Sequence, residues 1–143
     1  MNAVEQVRSY QTASKVSAVV NLFKRKFPRA GVDLKPWYNP AEIWELLDPH
    51  SIDLCFNFPG ISRMMQARSI LLLIRFHPEE QERAIGIDAL GYNYRGQCWQ
   101  FSTIADWTFR GEPVPIPDGR AEFKDFCCQV LQLFNSVPTG DAP

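Results

Sequence analysis

SILLLIRFHPEEQERAIGIDALGYNYRGQCWQFSTIA, residues 69–105, is the stretch from which the fold can be worked out. It contains residues 70–74, Ile-Leu-Leu-Leu-Ile, the longest purely apolar run of the chain. A membrane-spanning helix needs about 20 apolar residues, so this run is far too short to cross a bilayer. It is typical of a strand buried on both faces, and the isoleucines at its two ends disfavour a buried helical turn. We therefore place it in the centre of a β-sheet.

The second half of the stretch predicts a hairpin with its turn at residues 93–96, Asn-Tyr-Arg-Gly. A three-residue loop closed by a left-handed glycine pairs Asn93 with Gln97 and sets Gly91 opposite Trp99. A two-residue loop would shift the pairing by one position and mix the two faces. In the preferred register the apolar face has Ile85, Ile87, Ala89, Trp99, Phe101 and Thr103, and the polar face has Asp88, Leu90, Tyr92, Cys98, Gln100 and Ser102.

Residues 51–58 alternate between apolar and polar side chains, as expected for a strand with one covered face. The apolar side has Ile52, Leu54, Phe56 and Phe58, and the polar side has Asp53, Cys55 and Asn57. Pro59-Gly60 is expected to end this strand. Residues 32–35 and 107–109 are candidates for short additions to the sheet.

Two long helices are predicted near the ends of the chain. Residues 3–27 carry an apolar stripe at helical spacing, with basic residues in the last turn and Pro28 as the stop. A second stripe runs through residues 123–134, and Asp118 is placed to cap its start. A short helix is predicted over residues 40–47, with Asn39 as its cap. The two stripes consist of Ala13, Val16, Val19, Val20, Phe23 and Phe27, and of Phe123, Phe126, Cys127, Val130, Leu131 and Phe134.

This order of elements predicts an α+β fold. We expect an antiparallel sheet of four to five strands, with the N-terminal and the C-terminal long helix packed on one face. Residues 1–136 are expected to form a single domain, and residues 137–143 a disordered tail. The polar face of the sheet would then point to solvent, to a cavity or to a second subunit.

Composition favours a cytoplasmic protein. Apolar residues make up 45% of the 143 residues, which is enough for one sizeable core. Polar residues interrupt the N-terminus, so it lacks the apolar segment of a signal peptide. The four cysteines have neither metal-ligand nor disulfide-framework spacing, and no phosphate loop is present, so we expect no metal and no cofactor.

Charge is distributed unevenly along the chain. Residues 1–30 contain six basic side chains and one acidic side chain, a net charge of +5. Because the whole chain has a net charge of −1, the remainder sums to −6. Opposite charges of this kind can pair between two copies of a chain.

The polar sheet face is the first candidate site. Its side chains Asp53, Cys55, Asp88, Gln100 and Ser102 would line a ligand pocket if the sheet is curved. The competing interpretation is that these residues form the solvated face of a one-sided sheet. We weigh it more heavily, since simple alternation along the strands already explains the pattern.

Two other groups of residues give weaker predictions of a functional site. Cys55 with His50 or His77 has the residue types of a thiol nucleophile and its base, but a lone strand cysteine usually behaves as a small hydrophobe. Lys24, Lys26 and Arg29 have the charge for phosphate contacts, but helix-end electrostatics explain them equally well.

The sequence thus favours a binding or assembly domain over an enzyme. We expect it to act through protein–protein contacts, with itself or with another protein, and most simply as a homo-oligomer. The alternative is a small-molecule-binding domain or enzyme with its pocket on the polar sheet face. Contact with nucleic acid through the basic helix end is the weakest alternative, and no membrane contact is expected.

Overall fold

The computed structural model describes residues 10–36, 50–80 and 83–135. Within them the chain forms an α+β fold, as predicted, with two helices and one six-stranded sheet. The helices are α1 (Tyr10–Lys26) and α2 (Pro117–Asn135), and the strands are β1 (Gly31–Asp33), β2 (Ser51–Ser62), β3 (Ala67–Phe76), β4 (Ala84–Asn93), β5 (Gly96–Ser102) and β6 (Arg110–Gly111). The sheet has more strands than the four to five expected because β1 and β6 are short pieces at its two edges.

The sheet is a simple antiparallel meander. Its spatial order is the chain order, β1 to β6, and every neighbouring pair is antiparallel. The short helix predicted over residues 40–47, the first turns of the N-terminal helix and the tail at residues 137–143 lie outside the described residues.

Both long helices pack on one face of the sheet, as expected. The Phe23 ring of α1 stacks on Phe56 of β2, with ring centroids 3.8 Å apart, and Phe126 of α2 meets Phe23 edge-on at 5.2 Å. Lys26 bonds to residues near the start of α2, whereas Lys15 lies over the Phe134 ring near its end. The two helices are therefore antiparallel. Within the described residues, neither helix is apolar enough over a sufficient length to cross a bilayer.

The apolar run of β3 is buried on both faces, as the sequence predicts. Ile70, Leu72 and Ile74 belong to the main core beneath the helices. Leu71 and Leu73 point the other way and form a smaller cluster with Leu90. We call the side of the sheet that carries this second cluster the far face.

The hairpin between β4 and β5 differs from the prediction at its turn. Gly91 lies opposite Trp99 as predicted, but Asn93 pairs with Gly96, which leaves a two-residue loop. A bulge after Gly91 restores the predicted register for the rest of the hairpin, so Ala89, Trp99 and Phe101 still lie on one apolar face. The extra residue is Cys98, whose thiol donates to the Gly91 carbonyl oxygen at 3.3 Å and joins the main core. Its predicted place on the polar face is wrong.

A second bulge corrects the other end of β4. The pairing of β3 with β4 shifts between Arg75 and Phe76, so that Ala84 lies opposite Phe76. Ala84 therefore joins the core, and Ile85, which we predicted on the apolar face, is 47% exposed. The period-two pattern fails here because the extra residue, Ile85, shifts the alternation of inward and outward side chains by one position.

Two predicted boundaries are also wrong. Strand β2 continues through Pro59-Gly60 to Ser62, with a shift in its pairing with β3 between Asn57 and Ser62. Helix α2 starts at Pro117, and the Ile116 carbonyl accepts its first hydrogen bond. Asp118 therefore lies inside the first turn and is not the cap. Proline suits the first helical position because its missing N–H would be unpaired there.

Replacing Gly119 by alanine is expected to lower the free energy of unfolding by about 2 kcal/mol or more. A Cβ atom at this position would lie 2.1 Å from the carbonyl oxygen of Met64, in the turn between β2 and β3. Backbone must therefore move, although alanine is the better helix former by about 1 kcal/mol. Gly60→Ala is the matched control, since a Cβ there meets nothing within 4 Å. Urea unfolding of both variants checks this, and an unchanged midpoint for Gly119→Ala would contradict the close contact.

Candidate functional sites

The far face carries the predicted polar side chains except Cys98, and it is solvated only in part. Asp53 is 1% exposed and Asp88 8%, and Ser51 is fully buried. The solvent-face interpretation, which we favoured from the sequence, is therefore wrong for Asp53 and Asp88, whereas Asn57 and Gln100 are exposed. Alternation identified which side of the sheet they occupy, but it contains no information about whether that side is covered.

Hydrogen bonds and an ion pair hold the buried carboxylates. The Arg75 guanidinium donates through Nε to Asp88, and both side chains are nearly buried. The Ser51 hydroxyl donates to Asp53 at 2.6 Å. Asp53 and Asp88 flank Leu73 in one row of the sheet, so their strands are two spacings, roughly 10 Å, apart. At this separation the two carboxylates do not form a proton-sharing pair.

Three of the five predicted ligand-binding residues line one cavity. Asp88, Gln100 and Ser102 surround a space of about 170 Å³ at the β6 end of the far face, and Asp53 and Cys55 do not line it. The remaining polar lining comes from the segment after β5. These side chains, Asp106, Thr108 and Arg110, were missed by the sequence analysis.

The segment after β5 folds back over the far face through a turn of well-defined hydrogen bonds. The Ser102 hydroxyl accepts the N–H groups of Ile104 and Ala105, and the Asp106 carboxylate accepts that of Thr108. Trp107 has a positive φ of 59°, which is rare for a bulky residue. The reversal brings Arg110 beside Asp106, with which it forms an ion pair. No periodic pattern in the sequence signals such a reversal.

Cys55 lacks the properties of a catalytic nucleophile. Burial raises the pKa of its thiol to about 11, and the negative charge of Asp33 adds to the effect. The thiol lies near the Phe56 carbonyl and Asn57 rather than a histidine. His77, the second candidate base, accepts the N–H groups of residues 79 and 80 with its Nδ1. The structure therefore gives the Cys–His interpretation no geometric support.

We expect a single fast-reacting thiol in the native protein. Burial raises the pKa of Cys55, Cys98 and Cys127, so these groups remain protonated at pH 8, and only the thiolate attacks a disulfide reagent. Cys128 is exposed on α2. Titration of the native wild-type protein with Ellman's reagent should show one rapidly reacting thiol, and titration of the unfolded protein should show four. The native Cys128→Ser variant should lack the rapid thiol. Rapid reaction of the Cys128→Ser variant would contradict the burial of the other three.

The basic end of α1 is partly neutralised within the chain. The Lys26 ammonium lies 2.6 Å from Asp125 and 3.0 Å from Glu122, both on α2. The hydrogen bond to Asp125 is the main cause that raises the pKa of Lys26. Lys26 is thus already paired with carboxylates of the same chain. A phosphate contact at this helix end would depend on Lys24 and Arg29, which are exposed.

A shallow groove of about 590 Å³ runs along the outer side of the helix pair. Its lining is almost uncharged: it consists of Ala18, Asn21, Leu22, Arg25, Gln129, Gln132 and Leu133. Residues 129–135 of α2 carry no charged side chain, and in residues 11–22 of α1 the single charge is Lys15, held over the Phe134 ring at 5.6 Å. Exposed helix faces are usually rich in charge, so this surface is unusual.

In the described parts of the chain, no group of three or more His, Cys, Asp or Glu side chains is placed to hold a metal ion. Comparison with characterised proteins and with solved structures gives no match. One family model, described as a domain of unknown function, matches residues 4–136. Because this match covers nearly the whole chain, the protein belongs to that family of domains.

Proposed function

We propose that this chain is an assembly domain that associates with a second copy of itself through the outer face of the helix pair. The observation that carries the proposal is the uncharged groove between α1 and α2. Depletion of charge in the middle of a surface patch is the compositional feature that distinguishes protein interfaces from the rest of the surface. The half-buried Leu22 and Leu133 supply apolar contact area, and the amides supply hydrogen bonds.

Charge at one end of the groove supports a second copy as the partner. A symmetric dimer needs a surface that is complementary to itself. Arg25 is exposed on α1, and Asp125 is exposed at the same end on α2. A two-fold axis parallel to the helices would place Arg25 of each copy against Asp125 of the other. The charge asymmetry seen in the sequence would then act in two ways, within the chain through Lys26 and between chains through Arg25.

Sedimentation velocity from about 5 to about 200 μM tests the proposal, since a dimer with a micromolar dissociation constant forms across this range. The disrupting variant is Asn21→Glu with Gln132→Glu, which adds two acidic groups per copy at exposed positions of the groove. We expect it to raise the dissociation constant at least tenfold. The control is Asn57→Glu with Gln97→Glu, which adds the same charge at exposed positions of the sheet, away from both helices.

A wild-type protein that remains monomeric at the highest concentration would remove the proposal. A dimer that the groove variant leaves intact, or that the control variant weakens equally, would show that this face is not the interface. The expectations of a non-enzymatic role and of a cytoplasmic location remain predictions.

A further inference from the structure

We infer that the far-face cavity beside β6 is a binding site for a small zwitterion, a molecule that carries an ammonium and a carboxylate group, as an α-amino acid does. This inference is independent of self-association, because the cavity lies across the sheet from the helix pair. It rests on the size of the cavity, on the arrangement of its charges and on the apolar part of its lining.

The cavity has the volume of a very small organic ligand. At about 170 Å³ it slightly exceeds the engineered cavity of about 150 Å³ that accommodates benzene in another protein. Amino acids of the size of alanine or serine fit such a space, whereas nucleotides and cofactors do not. Pockets for drug-sized ligands have volumes of about 300–1,000 Å³, clearly larger than this one.

Three neighbouring strands fix the polar groups around the cavity. Asp88 of β4 lies directly opposite Ser102 of β5, and Gln100 of β5 directly opposite Arg110 of β6. Leu90 lies opposite Gln100 and completes the floor. Because these positions are paired strand residues, their backbones are rigid, and a ligand would meet groups that are already in place.

The charges of the lining suit a ligand with both signs and no net charge. Asp106 and Arg110 form an ion pair at the mouth, where both side chains are well exposed. An exposed pair of this kind contributes little to stability, so the two groups can exchange partners at low cost. Arg110 can then bind a carboxylate through two hydrogen bonds, while Asp106 accepts an ammonium.

Asp88 at the floor is compensated by Arg75, which makes the cavity close to neutral overall. A ligand with a single charge can engage only one of the two charged groups at the mouth, so it forms fewer charge-assisted hydrogen bonds than a zwitterion does. A space of about 170 Å³ holds an amino acid with a methyl-sized side chain but not a large one. The site should therefore prefer small zwitterions over acetate, alkylamines and large amino acids.

Chemical-shift mapping by ¹⁵N NMR is the direct test, with glycine, L-alanine and L-serine as probes and acetate, ethylamine and L-phenylalanine as comparisons. We expect saturable shifts at residues 100–110 with a dissociation constant of about 1 mM or lower for at least one small amino acid. Arg110→Gln should weaken this binding at least tenfold, and Ala105→Leu should block it by filling the mouth.

Arg83→Gln is the matched control, because Arg83 is also an exposed arginine paired with a carboxylate, Glu80, but lies away from the cavity. It should leave the binding unchanged. The absence of saturable shifts with every zwitterion would overturn the inference. So would binding of acetate or ethylamine as tight as that of alanine, or binding that survives Arg110→Gln.

Discussion

Replacing Trp99 by alanine is expected to lower the free energy of unfolding by about 5 kcal/mol, close to the whole stability of many domains of this size. Trp99 is fully buried, and its ring packs edge-on against Phe109 and Phe123. Its indole N–H donates to the Met65 carbonyl oxygen at 2.8 Å. The substitution therefore creates a large cavity and also leaves a buried carbonyl group without its donor.

The Trp99 side chain also covers a glycine on the neighbouring strand. A Cβ at Gly91 would lie 2.2 Å from the ring, so the ring occupies the space that any other residue there would fill. Trp99 thus joins the sheet, the helix α2 and the turn that contains Met65. Urea denaturation followed by circular dichroism measures the loss, and a variant that no longer folds would show it as an absent transition.

Two controls separate the contributions of Trp99. Trp99→Phe keeps most of the packing but removes the N–H donor, and should cost about 1–2 kcal/mol from that group alone. Trp107→Ala removes the same side chain from a half-buried position and should cost clearly less than Trp99→Ala. Equal losses for the two alanine variants would contradict the central position of Trp99 in the core.

Replacing Asp88 by alanine is expected to destabilise the protein by about 3 kcal/mol, because it removes the carboxylate that faces the nearly buried Arg75 guanidinium. Removing one of the partners of a nearly buried charged group is costly because water cannot fully replace it. Asp106→Ala is the control, since it breaks the exposed pair with Arg110 and should change stability by less than about 1 kcal/mol.

Thermal unfolding of the two variants side by side makes the comparison. A loss for Asp88→Ala no larger than that for Asp106→Ala would mean that the far-face ion pair is as solvated as the one at the surface. Recovery of stability in the double variant Asp88→Ala with Arg75→Leu would support the pair directly, because an apolar replacement removes both charges together.

The candidate site was only partly predictable. Asp88, Gln100 and Ser102 were found because alternation along paired strands places them on one face, and strand pairing is a local and regular relation. Arg110 and Asp106 were missed because an irregular turn with Trp107 in a left-handed conformation brings them there. Cys55 was included because it shares the face, but it lies on β2, and β3 separates it from the strands that line the cavity.

The sequence by itself determined the α+β class, the buried central strand, the pairing of Gly91 with Trp99 and the two helices on one face. These features follow from side-chain periodicity, which depends on neighbours along the chain. Only the tertiary structure decided that Asp53 and Asp88 are buried on the far face, that Lys26 pairs with α2, and where the bulges at Cys98 and Ile85 fall. Each of these depends on which distant segment packs there, and that is fixed by the balance of burial and hydrogen bonding over the whole fold.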